Sequence, residues 1–151
     1  MIRKAKIKDI KQIQELINFF AKQDQMLPRS LNELYENLRD FWVYEHKNKI
    51  LGCCSLHISW QNLVEIKSLA VAKNNQKKGI GAKLVDSCIN EAKELEAKSI
   101  FVLTYKPEFF RKFGFKRIKT SCLPHKIWAE CINCPKFPNC QEIAMIKQLQ
   151  K

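Results

Sequence analysis

Apolar residues recur at helical spacing in the first forty positions, after a short strand predicted at residues 2–7. Asp9 is placed to cap the first helix and Gln12 to complete a capping box, and the apolar face consists of Ile10, Ile13, Ile17 and Phe20. Ser30 and Glu33 fit the capping box of a second helix, whose apolar side consists of Leu31, Leu34, Leu38 and Phe41. The N-terminal part therefore predicts a strand followed by two amphipathic helices.

The hydrophobic period changes to two after this point, which predicts strands at residues 42–46, 50–58 and 63–71. A helix beginning at Ile80 carries one apolar face, and the run 99–104 then reads as a buried strand. Pro107 can begin a short helix that Gly114 ends in the left-handed conformation, and the last predicted strands are 115–118 and 143–146. The order of elements predicts an α/β (α+β) fold with a meander in its middle.

Length and composition indicate a single globular domain over residues 1–151. The chain is 46% hydrophobic and 28% charged, and no apolar run approaches the ~18 residues of a membrane span. The basic first residues lead into no apolar signal core, so nothing marks export. We expect no membrane association.

The formal net charge of +12 raises the question of a nucleic-acid partner. The lysines are spread along the whole chain, and no helix or strand gathers them with interleaved aromatic residues. We therefore expect no nucleic-acid binding, and a polyanionic cofactor explains part of the charge.

Seven cysteines without an export signal suggest reduced thiols and a cytoplasmic location. Cys53, Cys54, Cys88 and Cys122 look like buried or strand positions. The remaining three belong to a cysteine-rich loop at 122–140, where zinc is one interpretation, and the candidate ligands there are Cys131, Cys134, Cys140 and His125. A packed thiol-rich loop and reversible disulfide chemistry are the alternatives, since the spacing is not a paired zinc motif.

A basic, glycine-containing turn between the strand ending at Val71 and the helix from Ile80 is the most informative motif. The first amides of a helix have no partner within it, and the helix dipole favours an anion there. The residues predicted to surround a diphosphate are Gln76, Lys77, Lys78, Gly79, Ile80, Gly81 and Ala82. A P-loop and a dinucleotide fingerprint fit worse, because no Lys-Ser or Lys-Thr follows a glycine and Leu84 stands where a third glycine is needed.

The spacing Gln-x-x-Gly-x-Gly, the order of elements and the segment from Phe109 to Phe115 together resemble the GNAT acetyltransferase superfamily. The resemblance covers nearly the whole chain and implies a mixed, mostly antiparallel central sheet flanked by helices, with acetyl-CoA as cosubstrate. It also implies that backbone amides of Leu69, Ala70 and Val71 meet the acetyl carbonyl and the pantetheine arm.

The resemblance implies Glu65 as the base, because many members carry a glutamate at this position of the strand. The alternative to a catalytic role is that Glu65 is a strand residue that faces solvent and alternates with Lys67. Phe110 stands in the cofactor-binding motif where the superfamily usually has tyrosine, so the general acid is Tyr105, a water or no group at all.

A narrower resemblance, carried by residues 2–5, Arg29-Ser30, Glu65, 69–71, 101–104 and Leu123-Pro124, is to the acetyltransferase domain of N-acetylglutamate synthase. It implies acetylation of the α-amine of L-glutamate, in arginine biosynthesis, with Arg29 and then Lys67 as the candidates for binding substrate carboxylates. The first alternative is an acetyltransferase of the same family with another amine acceptor, such as a polyamine, an antibiotic or a protein N-terminus. The second is a protein of another class, a noncatalytic acetyl-CoA-binding or zinc-stabilised interaction module. Many relatives dimerise, so a homodimer is a further expectation.

Overall fold

The computed structural model describes residues 1–123 and 142–149. In these residues the strands are β1 (Ile2–Lys4), β2 (Phe41–His46), β3 (Lys49–Trp60), β4 (Leu63–Val71), β5 (Ser99–Thr104), β6 (Lys116–Arg117) and β7 (Ile143–Gln148). The α-helices are α1 (Ile10–Ala21), α2 (Leu31–Glu36), α3 (Ile80–Glu94) and α4 (Pro107–Arg111). This confirms the predicted α/β class with mostly antiparallel strands, since the pairs β1–β2, β2–β3, β5–β7 and β6–β7 are all antiparallel. No helix in these residues is long and apolar enough to cross a membrane.

Contacts divide the chain into two units, and the chain passes from one to the other within β3 and within β4. The first unit comprises Met1–His57 and Ile66–Ala92, and the second comprises Ile58–Glu65 and Lys93–Lys151. The strand order is β1-β2-β3-β4 in the first part of the sheet and β5-β7-β6 in the second.

Helices cover both faces of the sheet in the first unit. On one face α1 and α2 pack against β2 and β3 in a buried cluster that includes Ile13, Leu34, Val43 and Cys53. On the other face α3 approaches β3 so closely that a Cβ on Gly52 would lie 3.0 Å from both Ile80 and Leu84 side-chain atoms. Glycine at position 52 therefore allows the helix that follows the basic turn to lie directly on the sheet.

The second unit has its own small core beside β5 and β7. Phe101, Leu123 and Ala144 are its buried members. The turn between β3 and β4 is attached to this unit, because the carbonyl oxygen of Asn62 accepts hydrogen bonds from the amides of Lys98 and Ser99 at 3.0 Å. The start of β4 is thereby fixed close to the start of β5.

The structure corrects several local predictions. Asp9 does not cap α1; its buried carboxylate accepts hydrogen bonds from Arg3, while the side-chain oxygen of Gln12 accepts one from the amide of Ile50 instead. Phe41 begins β2 rather than ending the face of α2. Cys53, Cys54 and Cys88 are buried as expected, but Cys122 is exposed in a short 3₁₀ turn.

Candidate active site

The end of β4 departs from regular strand geometry at one residue. Ser68 has φ +55, in the left-handed region that a residue with a side chain seldom adopts within a strand. Such a residue interrupts the alternating ladder and turns the following backbone groups away from their usual strand partners. Leu69, Ala70 and Val71, whose amides are predicted to meet the acetyl group, are the three residues that come next.

Two side chains of β3 bond the backbone around this irregularity. The hydroxyl of Ser55 donates to the carbonyl oxygen of Lys67 at 3.0 Å, and the thiol of Cys53 donates to the carbonyl oxygen of Ser68 at 3.4 Å. Burial raises the pKa of Cys53 to about 12, against the opposing effect of a hydrogen bond from the backbone of Ala70. Cys53 therefore stays protonated and remains a donor at neutral pH.

The turn after β4 is exposed and contains two residues in the left-handed region. A 3₁₀ turn, Lys73–Asn75, leads to Gln76, whose side-chain nitrogen donates to the carbonyl oxygen of Val71 at 3.0 Å. Lys77 has φ +64 and Gly79 has φ +82. Gln76 thus ties the turn back to the end of the strand, and the two left-handed residues redirect the chain into α3.

The beginning of α3 has the features of an anion site. The first helical turn is closed by a hydrogen bond from the amide of Lys83 to the carbonyl oxygen of Gly79 at 3.1 Å, so the preceding amides have no acceptor within the helix. A Cβ on Gly79 would meet nothing within 4 Å, so the space beside the backbone is open to a ligand. Lys77, Lys78 and Lys83 are exposed around it. These residues fit the diphosphate of a coenzyme A molecule.

The comparison with known protein families matches residues 37–117 of the chain to the acetyltransferase (GNAT) domain. That range includes β4, the basic turn and α3. The chain belongs to the GNAT acetyltransferase family. It is an acetyl-CoA-dependent N-acetyltransferase, and the sequence prediction of this family and of this class of enzyme is confirmed.

Individual relatives match more of the chain than the family model does. An uncharacterized N-acetyltransferase of Chlorobaculum tepidum is 38% identical over 98% of this chain and 96% of its own length. The amino-acid acetyltransferase of Mycobacterium tuberculosis is 34% identical over 86% of this chain and 76% of its own length.

Two solved structures have the same fold. A Mycobacterium tuberculosis protein crystallised with CoA superposes with a TM-score of 0.86 at 30% identity, covering 99% of both chains. The N-acetylglutamate synthase of Neisseria gonorrhoeae, in complex with coenzyme A and N-acetyl-glutamate, superposes with a TM-score of 0.88 at 25% identity. That match covers this whole chain and 35% of the longer synthase.

The predicted base and the second substrate-binding candidate lie on β4, within the residues matched to the GNAT domain. Glu65 is buried, with 5% of its surface exposed. This excludes the alternative that it is a strand residue facing solvent. Lys67 is half-buried, and its carbonyl oxygen is the one bonded by Ser55. Their roles in the reaction stay predictions.

Arg29, the leading candidate for binding a carboxylate, is held by its backbone between α1 and α2. Its amide donates to the side-chain oxygen of Asn18 at 3.3 Å, and its carbonyl oxygen accepts from the side chain of Gln14 at 3.2 Å. The guanidinium of Arg29 donates to the exposed carboxylate of Glu33 at 3.1 Å. The structure thus shows Arg29 already engaged with a carboxylate, one supplied by the chain itself.

The second unit holds the remaining predicted residues. Phe110 is buried in α4, and its ring meets those of Phe109 and Phe115 edge to face at 5.1 and 5.5 Å. Tyr105 is 37% exposed just after β5. Neither role, cofactor contact for Phe110 or general acid for Tyr105, is tested by these positions.

The zinc candidates Cys131, Cys134, Cys140 and His125 lie outside the described residues. Within residues 1–123 and 142–149 no group of three His, Cys, Asp or Glu side chains is arranged to hold a metal ion. Zinc in the cysteine-rich loop therefore stays a prediction.

Sequence reasoning missed Cys53, Ser55 and Ser68 as contributors to the site. Alternation along β3 places Cys53 and Ser55 on one face, but nothing in the sequence shows that their side chains would bond carbonyl groups of β4. The positive φ of Ser68 has no sequence signal either, since serine is not a residue that marks the left-handed conformation.

Proposed function

We propose that the chain transfers the acetyl group of acetyl-CoA to the α-amine of L-glutamate or a close amino acid. The observation that carries this proposal is the similarity to the amino-acid acetyltransferase of Mycobacterium tuberculosis, which extends over 86% of this chain and 76% of that enzyme. The similarity of the fold to a synthase that was crystallised with N-acetyl-glutamate supports the same acceptor. Its product would then enter arginine biosynthesis, and we expect the enzyme to work in the cytoplasm.

Acetyl-CoA supplies the activated acetyl thioester when it is bound. The first amides of α3, together with Lys77 and Lys78, are the proposed ligands of its diphosphate. The amides of Leu69 to Val71 are the proposed donors to the acetyl carbonyl, and the irregularity at Ser68 supports that assignment.

Arg29 is the proposed ligand of an acceptor carboxylate. Arginine presents a planar fork that binds a carboxylate through two hydrogen bonds, and the backbone of Arg29 is fixed by Gln14 and Asn18. Its contact with Glu33 shows that a carboxylate can approach the guanidinium. Lys67 is the second proposed carboxylate ligand.

Glu65 is the proposed base for the proton that the amine loses when the amide forms. A buried carboxylate can hold a proton-accepting role near neutral pH. Replacement of Glu65 by Gln should lower turnover by roughly 100-fold, within the range for general bases, and leave the affinity for acetyl-CoA unchanged.

The decisive experiment is a thiol-release assay with the purified chain, acetyl-CoA and a panel of acceptors. The panel contains L-glutamate, L-glutamine, other amino acids, a polyamine, an aminoglycoside and a peptide with a free N-terminus. Release of CoA with glutamate, and identification of N-acetylglutamate by mass spectrometry, would support the proposal. Release with only a polyamine, an aminoglycoside or a peptide would overturn the amino-acid assignment.

A further inference from the structure

A histidine and a carboxylate form a close pair in the first unit that the functions assigned so far do not use. The Nδ1 atom of His57, on β3, lies 2.7 Å from Oδ2 of Asp40, in the short 3₁₀ turn before β2. An ionised carboxylate can only accept, so this contact places a hydrogen on Nδ1. In the neutral ring the lone pair is then on Nε2.

The pair is positioned by the register of β2 and β3. Phe41 lies opposite Ser55, which brings the turn residue Asp40 alongside the next residues of β3. The side chain of Asp40 is 26% exposed and that of His57 is 32% exposed, so the ring is held in place yet open to a solvent-borne ligand.

His57 lies on the face of the sheet that α1 and α2 cover. Cys53, Ser55 and His57 alternate along β3 and therefore project to the same side. Cys53 belongs to the buried cluster formed with Ile13 and Leu34 of those helices. Arg29, which joins α1 to α2, is on this side as well. The histidine pair and the proposed carboxylate ligand thus share one face of the first unit.

The charged groups on the segments beside His57 come from two elements, the turn before β2 and β4. Asp40 faces it from the turn before β2, where Arg39 is the preceding residue. On the part of β4 that belongs to the first unit, and that Ser55 contacts, the ionisable side chain is Lys67. Of these, Asp40 is the group in direct contact with the ring.

The reaction requires the acceptor nitrogen to lose two protons. An amino acid at neutral pH carries an ammonium group, which has no lone pair and must lose one proton before it can form a bond to carbon. The nitrogen loses another proton when it becomes an amide. Glu65 is assigned to only one of these transfers, which leaves the other open to a second side chain on the acceptor side.

We propose that His57, oriented by Asp40, takes the first proton from the acceptor's ammonium group. An N–H bond of the ammonium breaks, its electron pair stays on the nitrogen, and a bond forms between that hydrogen and Nε2 of His57. The resulting imidazolium is stabilised by Asp40 and returns the proton to water through its exposed ring. This inference rests on the proposed function only in requiring an amine acceptor, and it holds for any such acceptor.

The test compares pH profiles of kcat/KM for the acceptor in wild type, H57Q, D40N and a matched control, H46Q. His46 is an exposed histidine at the end of β2 and has no part in the proposed site. H57Q should lower kcat/KM at pH 7 by about 100-fold. The deficit should shrink steadily above pH 9, where solvent deprotonates the ammonium, while KM for acetyl-CoA stays the same. D40N, which keeps the side-chain shape without the charge, should lower kcat/KM by a smaller factor, and H46Q should match wild type.

A deficit of H57Q in kcat/KM that is the same at every pH would assign His57 a structural role and overturn the inference. A pH profile of H57Q equal to that of wild type would also overturn it. Circular dichroism and thermal melting of each variant exclude misfolding, and D40N provides the pH test should H57Q fail to fold. If wild type uses another amine but not glutamate, the glutamate proposal fails and the same profiles are measured with that amine. If wild type releases no CoA with any amine of the panel, both proposals are overturned.

Discussion

The hydroxyl of Ser55 donates a hydrogen bond to the carbonyl oxygen of Lys67, 3.0 Å away on the neighbouring strand. Ser55 is 4% exposed, so water cannot easily replace the bond. Together with Cys53, it holds the backbone on either side of the left-handed residue Ser68. The geometry of the proposed acetyl-binding amides therefore depends on side chains of β3.

Replacement of Ser55 by Ala should destabilise the protein by about 1–3 kcal/mol, because a buried carbonyl group loses its donor. We also expect a lower kcat, since the backbone at Ser68 is free to relax. Chemical denaturation and steady-state kinetics measure the two effects. Ser87→Ala is the matched control: that hydroxyl also bonds a carbonyl oxygen, of Lys83, but on a helix where water can take its place. Equal stability of S55A and S87A would contradict this account.

Replacement of Gly79 by Ala should weaken acetyl-CoA binding without a steric clash inside the protein. A Cβ at this position has open space around it, but φ +82 costs an L-residue about 1–2 kcal/mol, and the methyl group would stand where the diphosphate is proposed to lie. We expect KM for acetyl-CoA to rise roughly tenfold, and kcat at saturation to change little. Gly79→Asn separates the two causes, because asparagine tolerates the left-handed conformation better than alanine but is larger. A KM that is unchanged in both variants would show that the diphosphate binds elsewhere.

Replacement of Arg29 by Gln should raise KM for glutamate by roughly tenfold or more, as expected for loss of a charge-assisted hydrogen bond. Glu33 competes for the same guanidinium, so Glu33→Gln should lower KM for glutamate about twofold, in line with the small stabilisation from an exposed pair of this spacing. Initial rates at saturating acetyl-CoA give both values. The assignment of Arg29 would be wrong if R29Q bound glutamate as wild type does.

The pH dependence of stability should reflect the partly buried pair of Arg3 and Asp9. Burial opposes ionisation of Asp9, but hydrogen bonds from Arg3 and from the amide of Lys6 outweigh it, and its pKa lies below the ordinary value. A carboxyl group with a lowered pKa stabilises the folded state above its unfolded pKa, near 4, and loses that contribution as pH falls through the folded pKa.

We therefore expect the free energy of unfolding to decrease below about pH 5, and less steeply in Asp9→Asn than in wild type. At neutral pH the same variant should be less stable by about 3 kcal/mol, because Arg3 loses one carboxylate and keeps only Glu45. Asp86→Asn, a substitution at an exposed position of α3, serves as the control. Parallel pH curves for wild type and D9N would show that Asp9 titrates normally.

The strands and helices that the sequence predicted well are those whose patterns are local. β4 and β5 have the predicted bounds, 63–71 and 99–104, and α3 begins at Ile80 as expected. Gly79 and Gly114 adopt the positive φ values that their places in the turn and after α4 indicate. Periodicity and glycine position are properties of a short segment, so a single sequence contains enough information to read them.

The errors arose where another residue competes for a side chain that the local pattern assigns to a cap. Asp9 has the right position for a cap, but Arg3 and the amide of Lys6 take its oxygens; Gln12 turns to Ile50, 38 positions away. The pair of His57 and Asp40 likewise depends on the pairing of β2 with β3. The family-derived residues Glu65, Arg29 and Tyr105 could be named from sequence because they are tied to motifs, but their roles depend on a ligand.

The central claim is that the turn from Lys77 to Ala82 holds the diphosphate of acetyl-CoA. The most direct measurement is a crystal structure of the protein in complex with CoA. The account predicts diphosphate oxygens within hydrogen-bond distance of the first amides of α3, beside Gly79. Density for CoA at another place, with this turn vacant or filled by the protein's own side chains, would contradict it.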